Sequence, residues 1–175
     1  MNKVGDPSQK SVQLFLTHIK KRITLEIINS SKKLSKEDII EFQKNLTVNL
    51  PEYFYDFYNA NNGGVVSKNS FYINVEDSYV EVSFFIPIKY KLDKLGDVII
   101  ETSYQTLINK NVLIPIYVPF AVDWGGNYFC INTNNDSVVL VLADLGVFAE
   151  KNIKFLSNNF YDFINHLEER EQEDI

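Results

Sequence analysis

The chain predicts an α+β domain, an antiparallel β-sheet with helices packed against it. Segments with strand character are separated mainly by turns too short for crossover helices, so neighbouring strands run antiparallel. Blocks of helical apolar spacing come before, between and after them. Composition sets the scale: 175 residues, 45% hydrophobic and 23% charged, with 7 Gly and 5 Pro, suffice for one domain with a true core. The 13 Phe and 10 Tyr predict that this core mixes aliphatic and aromatic side chains. The domain is expected over residues 23–167, between a basic extension at 1–22 and an acidic tail at 168–175.

Met1 to Lys10 is polar and expected to fray. Val12 to Ile23 fits helical spacing through Val12, Phe15, Leu16, Ile19 and Ile23, although strand alternation fits almost as well; a helix is favoured. Ile23 to Ile28 is β-branched and alternating, a strand, and Asn29 to Lys33 a turn-rich break. Ser35 has the chemistry of an N-cap, with Glu37 and Asp38 in the first turn where the helix dipole favours acids. That helix should run to about Asn45, burying Ile39, Phe42 and Leu46 with Ile40 at the margin. Leu50-Pro51 starts a second helix, because proline's missing N–H costs nothing in a first turn. Its apolar side is Tyr53, Phe54, Phe57 and Tyr58, and Asn61-Asn62-Gly63-Gly64 stops it with a left-handed glycine.

Strands follow at Phe71–Val75 and Tyr79–Ile88, broken by Glu76-Asp77-Ser78, the second with Val80, Val82, Phe84 and Ile86 on one face. Asp97 to Asn109 reads as a helix with Val98, Ile99, Thr102, Leu107 and Ile108 inward. Ile114–Val122 and Tyr128–Thr133 form a hairpin around Asp123-Trp124-Gly125-Gly126-Asn127, where the glycines can take positive φ and Asp and Asn can bond their own backbone. Val138 to Ala143, after a polar turn at Asn134–Ser137, is continuously apolar and so covered on both faces. Ser157 to Leu167 is the last helix, with Phe160, Phe163, Ile164 and Leu167 inward; Glu168 to Asp174 should protrude into solvent.

Charge is divided unevenly. Residues 1–36 hold eight Lys/Arg against two acids, and residues 37–175 hold nine against 21, so a net charge of -6 is the sum of +6 and -12. A body that acidic repels phosphate backbones and attracts cationic proteins, though such an excess also serves simply as a solvated surface. Cys130, alone, cannot form an internal disulfide and sits in an apolar strand, which predicts a buried thiol in a reducing compartment. The first thirty residues lack a signal peptide's apolar run, and no stretch approaches the ~20 apolar residues of a membrane span. A cytoplasmic protein is expected.

Catalytic chemistry is not legible. His18 and His166 lie far apart in the chain, without further ligands at zinc spacing, and no nucleophile elbow, phosphate loop or dinucleotide fingerprint occurs. A Cys130–His166 pair would need an exposed, electropositive thiol, and a dyad of Asp123 with Asp136 or Asp144 would use acids that turns already require. No enzyme, cofactor or metal is expected.

Leu50-Pro51-Glu52-Tyr53, an aromatic helix and then Asn62-Gly63-Gly64 resembles the "Leu-Pro … Asn-Gly-Gly" segment of the SUKH superfamily, the Smi/Knr-like proteins. Ile116 to Asn132 resembles that family's second hallmark: an apolar strand ending Pro119-Phe120-Ala121, an Asp123 … Gly126-Asn127 turn, and an apolar strand containing Cys. Leu34 to Phe42 is similar to its lead-in helix, and the resemblance spans about residues 23–165. It implies a Smi/Knr-like fold whose motif residues, Gly125 included, are structural. It also implies an immunity protein that neutralises a cationic bacterial toxin, commonly a nuclease, or a regulatory scaffold with an endogenous partner. The basic residues 1–22 and Trp124 at the hairpin tip depart from the family pattern.

On that implication the candidate contacts are exposed acids and aromatics: Trp124 and Asp123 at the hairpin tip, Glu76 and Asp77 in the strand break, and Tyr79 beside them. Trp124 could equally pack as a hairpin aromatic, and Glu76 and Asp77 could form an ordinary solvated turn. The expected partner is a protein, with neither nucleic acid nor membrane bound, and the chain itself a monomer or weak dimer.

Overall fold

The computed structural model describes residues 25–170, in nine strands and four α-helices. The extension at 1–22 with its expected helix, and the end of the acidic tail, lie outside them.

Strand β1 (Ile27–Ile28), shorter than expected, pairs with β2 (Val65–Val66). Between them lie α1 (Lys36–Asn45) and α2 (Glu52–Ala60). Helix α1 begins as its sequence predicts: the Asp38 N–H donates to Ser35 Oγ at 3.1 Å, and the Ser35 N–H donates back to Asp38 Oδ2 at 2.9 Å. Pro51 stands just outside α2 with extended ψ of 153°. The left-handed terminator expected of α2 is displaced: Asn61 ends it in extended conformation, and positive φ comes two residues later, at Gly63. Tyr53, expected inward, is exposed, its ring tilted against that of Tyr161 with centroids 4.8 Å apart.

Next come the hairpin β3 (Ser70–Ile73) and β4 (Ser78–Glu81), and then β5 (Phe84–Phe85). The single strand expected over Tyr79–Ile88 is therefore two. The Val82 N–H still donates to Asn69 O beside β3, but the Ser83 N–H donates to Val122 O, so the chain changes sheets at a small residue. Helix α3 (Ile100–Asn109) starts three residues later than predicted and buries Ile100, Ser103, Tyr104 and Leu107, leaving Thr102 exposed.

The main sheet is antiparallel in the order β5-β6-β7-β8-β9, with β6 (Tyr117–Val122), β7 (Tyr128–Asn132), β8 (Val138–Val141) and β9 (Ile153–Ser157). The β6–β7 register slips between Pro119 and Ala121, where proline has no N–H to give the ladder. The carbonyl of Phe120 is instead shared by the Ile86 N–H at 2.8 Å and the buried Tyr58 hydroxyl at 3.0 Å. Strand β9 was not expected. Helix α4 (Phe160–Asn165) is shorter than the Ser157–Leu167 expected because Ser157 ends β9; its predicted apolar residues are buried, and Asn159 caps it by accepting from the Asp162 N–H at 2.8 Å.

The core is aromatic, as composition indicated. Phe57, Phe85, Phe120, Phe129, Phe160 and Phe163 form one network, with neighbouring rings such as Phe57–Phe85 and Phe120–Phe160 about 5 Å apart. Edge-to-face and offset contacts of this kind add to the burial of area. A second cluster with Leu107, Leu113, Tyr117, Cys130, Val139 and Val141 covers the opposite face of the sheet, so β8 is buried on both sides.

Asn62 and Gly63 tie these layers together. The Asn62 side chain is 2% exposed; it donates to Lys32 O and Ile88 O and accepts from the Ile88 N–H, all within 2.9 Å. Gly63 lies so close to the following strand that a Cβ there would sit 2.7 Å from Phe85 O and from Pro87 N. Gly64 then makes an antiparallel bridge to Phe85. The Asn-Gly-Gly run holds α2, β1–β2 and the β5 edge together.

Candidate functional site

The β3–β4 hairpin carries three of the predicted contact residues, Glu76 and Asp77 in its turn and Tyr79 on β4, and the fold sets them against an element the sequence did not announce. Asp77 has φ of 48°, a left-handed turn position that Asp tolerates, and its Oδ1 accepts from the Tyr72 hydroxyl at 2.6 Å. That bond pushes the Tyr72 phenol pKa up. Tyr79 lies opposite Tyr72, ring centroids 5.0 Å apart, as a cross-strand aromatic pair. The Arg170 guanidinium sits 4.8 Å above the Tyr79 ring, and the Glu168 carboxylate beside it raises the Tyr79 phenol pKa. Glu76 reaches across to Lys154 on β9 at 2.7 Å.

A groove of about 590 Å³ runs between this hairpin and the β9–α4 segment. Phe71, Ile73 and Leu156 are its buried apolar lining; Tyr72, Tyr79, Val75 and Phe155 are its exposed one. Asp162, His166 and Glu168 add polar groups. Phe155 is 56% exposed and Val75 92%. Glu168, expected in a free tail, is exposed but exchanges backbone hydrogen bonds with Ser70 at 2.9 and 3.0 Å, so the start of the tail is fixed to β3. Sequence reading missed Phe155, Tyr72 and Val75. Alternation in Ile153-Lys154-Phe155, between turn-forming Asn152 and Ser157-Asn158-Asn159, was the available signal.

Trp124 and Asp123 lie elsewhere, at the tip of the β6–β7 hairpin. Trp124 is 75% exposed rather than packed. Asp123 has both carboxylate oxygens engaged at 2.8 Å, one by the Asn127 N–H and one by Asn127 Nδ2. Asn127 Oδ1 in turn accepts from the Ala143 N–H at 3.1 Å, which ties this turn to the β8–β9 loop and its exposed Leu145 and Val147. Of the two glycines only Gly126 takes positive φ. The turn is therefore a rigid mount for one bare indole, and the predicted contacts divide into two surfaces.

Cys130 is fully buried and its thiol pKa is pushed well up by burial, while His166 is exposed with Nδ1 2.7 Å from Asp162 O. A thiolate nucleophile has no support in that environment. Among the described residues no group of three His, Cys, Asp or Glu could hold a metal ion, and no helix is long and apolar enough to cross a membrane.

The family model described as SMI1 / KNR4 family (SUKH-1) matches residues 33–166. The chain belongs to this family. The matched region takes in α1, both motif segments and the groove as far as His166, and this SUKH-1 domain has the α+β arrangement that the resemblance implied. No curated protein matches the chain.

Proposed function

We propose that this SUKH-1 protein is an immunity protein: it binds a cationic bacterial toxin, a nuclease, and neutralises it by occupying the surface the toxin needs. One observation carries the reading. The turn acids Glu76 and Asp77 and the ring of Tyr79 share an exposed surface with Tyr72, Val75 and Phe155, so charge and aromatic area lie together. Nuclease grooves are cationic because they hold phosphates. An acidic body with a -12 balance over residues 37–175 would speed encounter with such a groove. Desolvated aromatics such as Phe155 and Trp124 would supply the slow dissociation. The work is occupancy rather than turnover, with no cofactor in it.

The test is kinetic. The product of the neighbouring gene, if it is a toxin, should form a stoichiometric complex with this chain, at an association rate that falls steeply as salt rises from about 50 to 500 mM. A complex whose association ignores salt would remove the electrostatic part of the proposal. Absence of any complex would remove the whole.

A further inference from the structure

The groove has an open backbone edge as well as side chains. The Leu142 N–H donates to Asn152 O, so in the regular stretch of the antiparallel ladder, which ends in a register shift after Phe155, residues 152 and 154 turn their backbone toward β8. Ile153 and Phe155 therefore turn theirs outward. Strand β9 ends the five-stranded sheet, and among the described residues nothing pairs with that side. Across the groove, the Val82 N–H to Asn69 O bond sets the β3 ladder so that Ser70 and Tyr72 face away from β4. Ser70 is taken by Glu168, and Tyr72 is not. Native sheets normally protect such edges with charge, bulges or a covering element. Strand β9 has a register shift between Phe155 and Ser157 and the charged Lys154, yet its outer side before the shift lies beside exposed Phe155 and a rim holding Asp77, Asp162, His166 and Glu168.

Resting on the toxin-binding reading, we propose that the partner enters as an extended segment that adds a strand to the outer edge of β9, its alternate side chains being apolar and basic. Main-chain hydrogen bonds to Ile153 and Phe155 would give affinity and register, as in strand-addition recognition generally. Apolar side chains would meet Leu156 and Phe155, and basic ones the acidic rim. A helix or a flat surface would leave these backbone groups unmatched.

A blocked peptide of about seven residues alternating Val with Lys serves as the probe, titrated into the full-length 15N-labelled chain. The expected result is amide shifts and slowed exchange at Ile153 and Phe155, with binding weakened roughly tenfold or more when the peptide N–H groups on one edge are methylated. Replacing its Lys by Glu should abolish binding. Shifts confined to the Trp124 turn, indifference to methylation, or equal binding of the Glu peptide would each overturn the proposal. Concentration-dependent shifts at the same amides without peptide would put a second copy in the groove, and shifts there on deleting residues 1–22 would put the chain's own basic segment there; either also overturns it. Phe155→Pro, which removes an outward N–H that β8 does not use, separates this claim from the function. If that variant still neutralises the toxin, strand addition is wrong and immunity stands. If the unaltered chain binds the peptide but not the toxin, the immunity reading is wrong.

Discussion

Glu76, in the turn between β3 and β4, places its carboxylate 2.7 Å from the ammonium of Lys154 on β9. This contact joins a two-stranded hairpin to the edge of the main sheet. Both side chains are more than a third exposed, so solvent screens the pair and its contribution to folding should stay under ~1 kcal/mol. A double-mutant cycle with Glu76→Gln and Lys154→Met, read from urea midpoints, measures it. Glu76→Lys should instead slow association with a cationic partner while leaving the midpoint nearly unmoved.

Trp124→Ala should leave stability within about 0.5 kcal/mol, because three quarters of the side chain already faces water. If the indole anchors a partner, the same change should cost binding over ~2 kcal/mol. Thermal unfolding and titration of the complex give the two numbers; a lowered melting temperature would mean the indole packs in solution.

Two left-handed glycines should respond differently to alanine. At Gly126 (φ 85°) a Cβ meets nothing within 4 Å, so only the backbone conformation is penalised, by about 1–2 kcal/mol. At Gly63 (φ 67°) the Cβ would strike backbone atoms of Phe85 and Pro87, which cannot move without breaking the Gly64–Phe85 bridge. Gly63→Ala should cost at least ~3 kcal/mol, combining that strain with overpacking. Denaturant midpoints at unchanged slope make the comparison.

Much of this was legible in the sequence, and the misses have physical causes. Ser35 with Asp38 is a local signal satisfied locally, so α1 forms where predicted, whereas the last helix keeps its predicted apolar face but loses its first turn to β9, which takes Ser157. Tyr79–Ile88 reads as one strand because alternation does not register a change of partner; only the tertiary bonds of Val82 and Ser83 divide it. Strand β9 has a single charged residue, Lys154, among apolar ones and little β-branching, so its pattern is weak. Its pairing with β8 makes it a strand, and half of the groove goes with it. Glu76, Asp77 and Tyr79 could be picked as exposed, but their grouping with Phe155 depends on contacts some 78 positions apart in sequence, such as Glu76 with Lys154.

Acid should expose the Asp38 network. The Lys89 ammonium, 2.8 Å from Asp38 Oδ1, holds the Asp38 carboxyl far below its ordinary 3.8, helped by the Ser35 N–H and the Tyr90 hydroxyl. A carboxyl depressed on folding contributes stability that is complete above its unfolded value near ~3.9 and lost as pH falls toward the folded one. Glu101, its pKa raised by burial, acts in the opposite sense above about pH 4.3, so the total profile is not diagnostic. The difference between the native chain and Asp38→Asn is: it should be largest at neutral pH and shrink below about pH 4. A difference that does not vary with pH would mean the ion pair does not contribute.

The central claim is that this SUKH-1 domain acts by occupying a toxin. The most direct measurement is co-expression with the product of the neighbouring gene, scored as growth. Rescue by the native chain, weakened by Phe155→Asp or Trp124→Ala at equal protein levels, is the predicted result. Growth arrest despite abundant folded protein would contradict it.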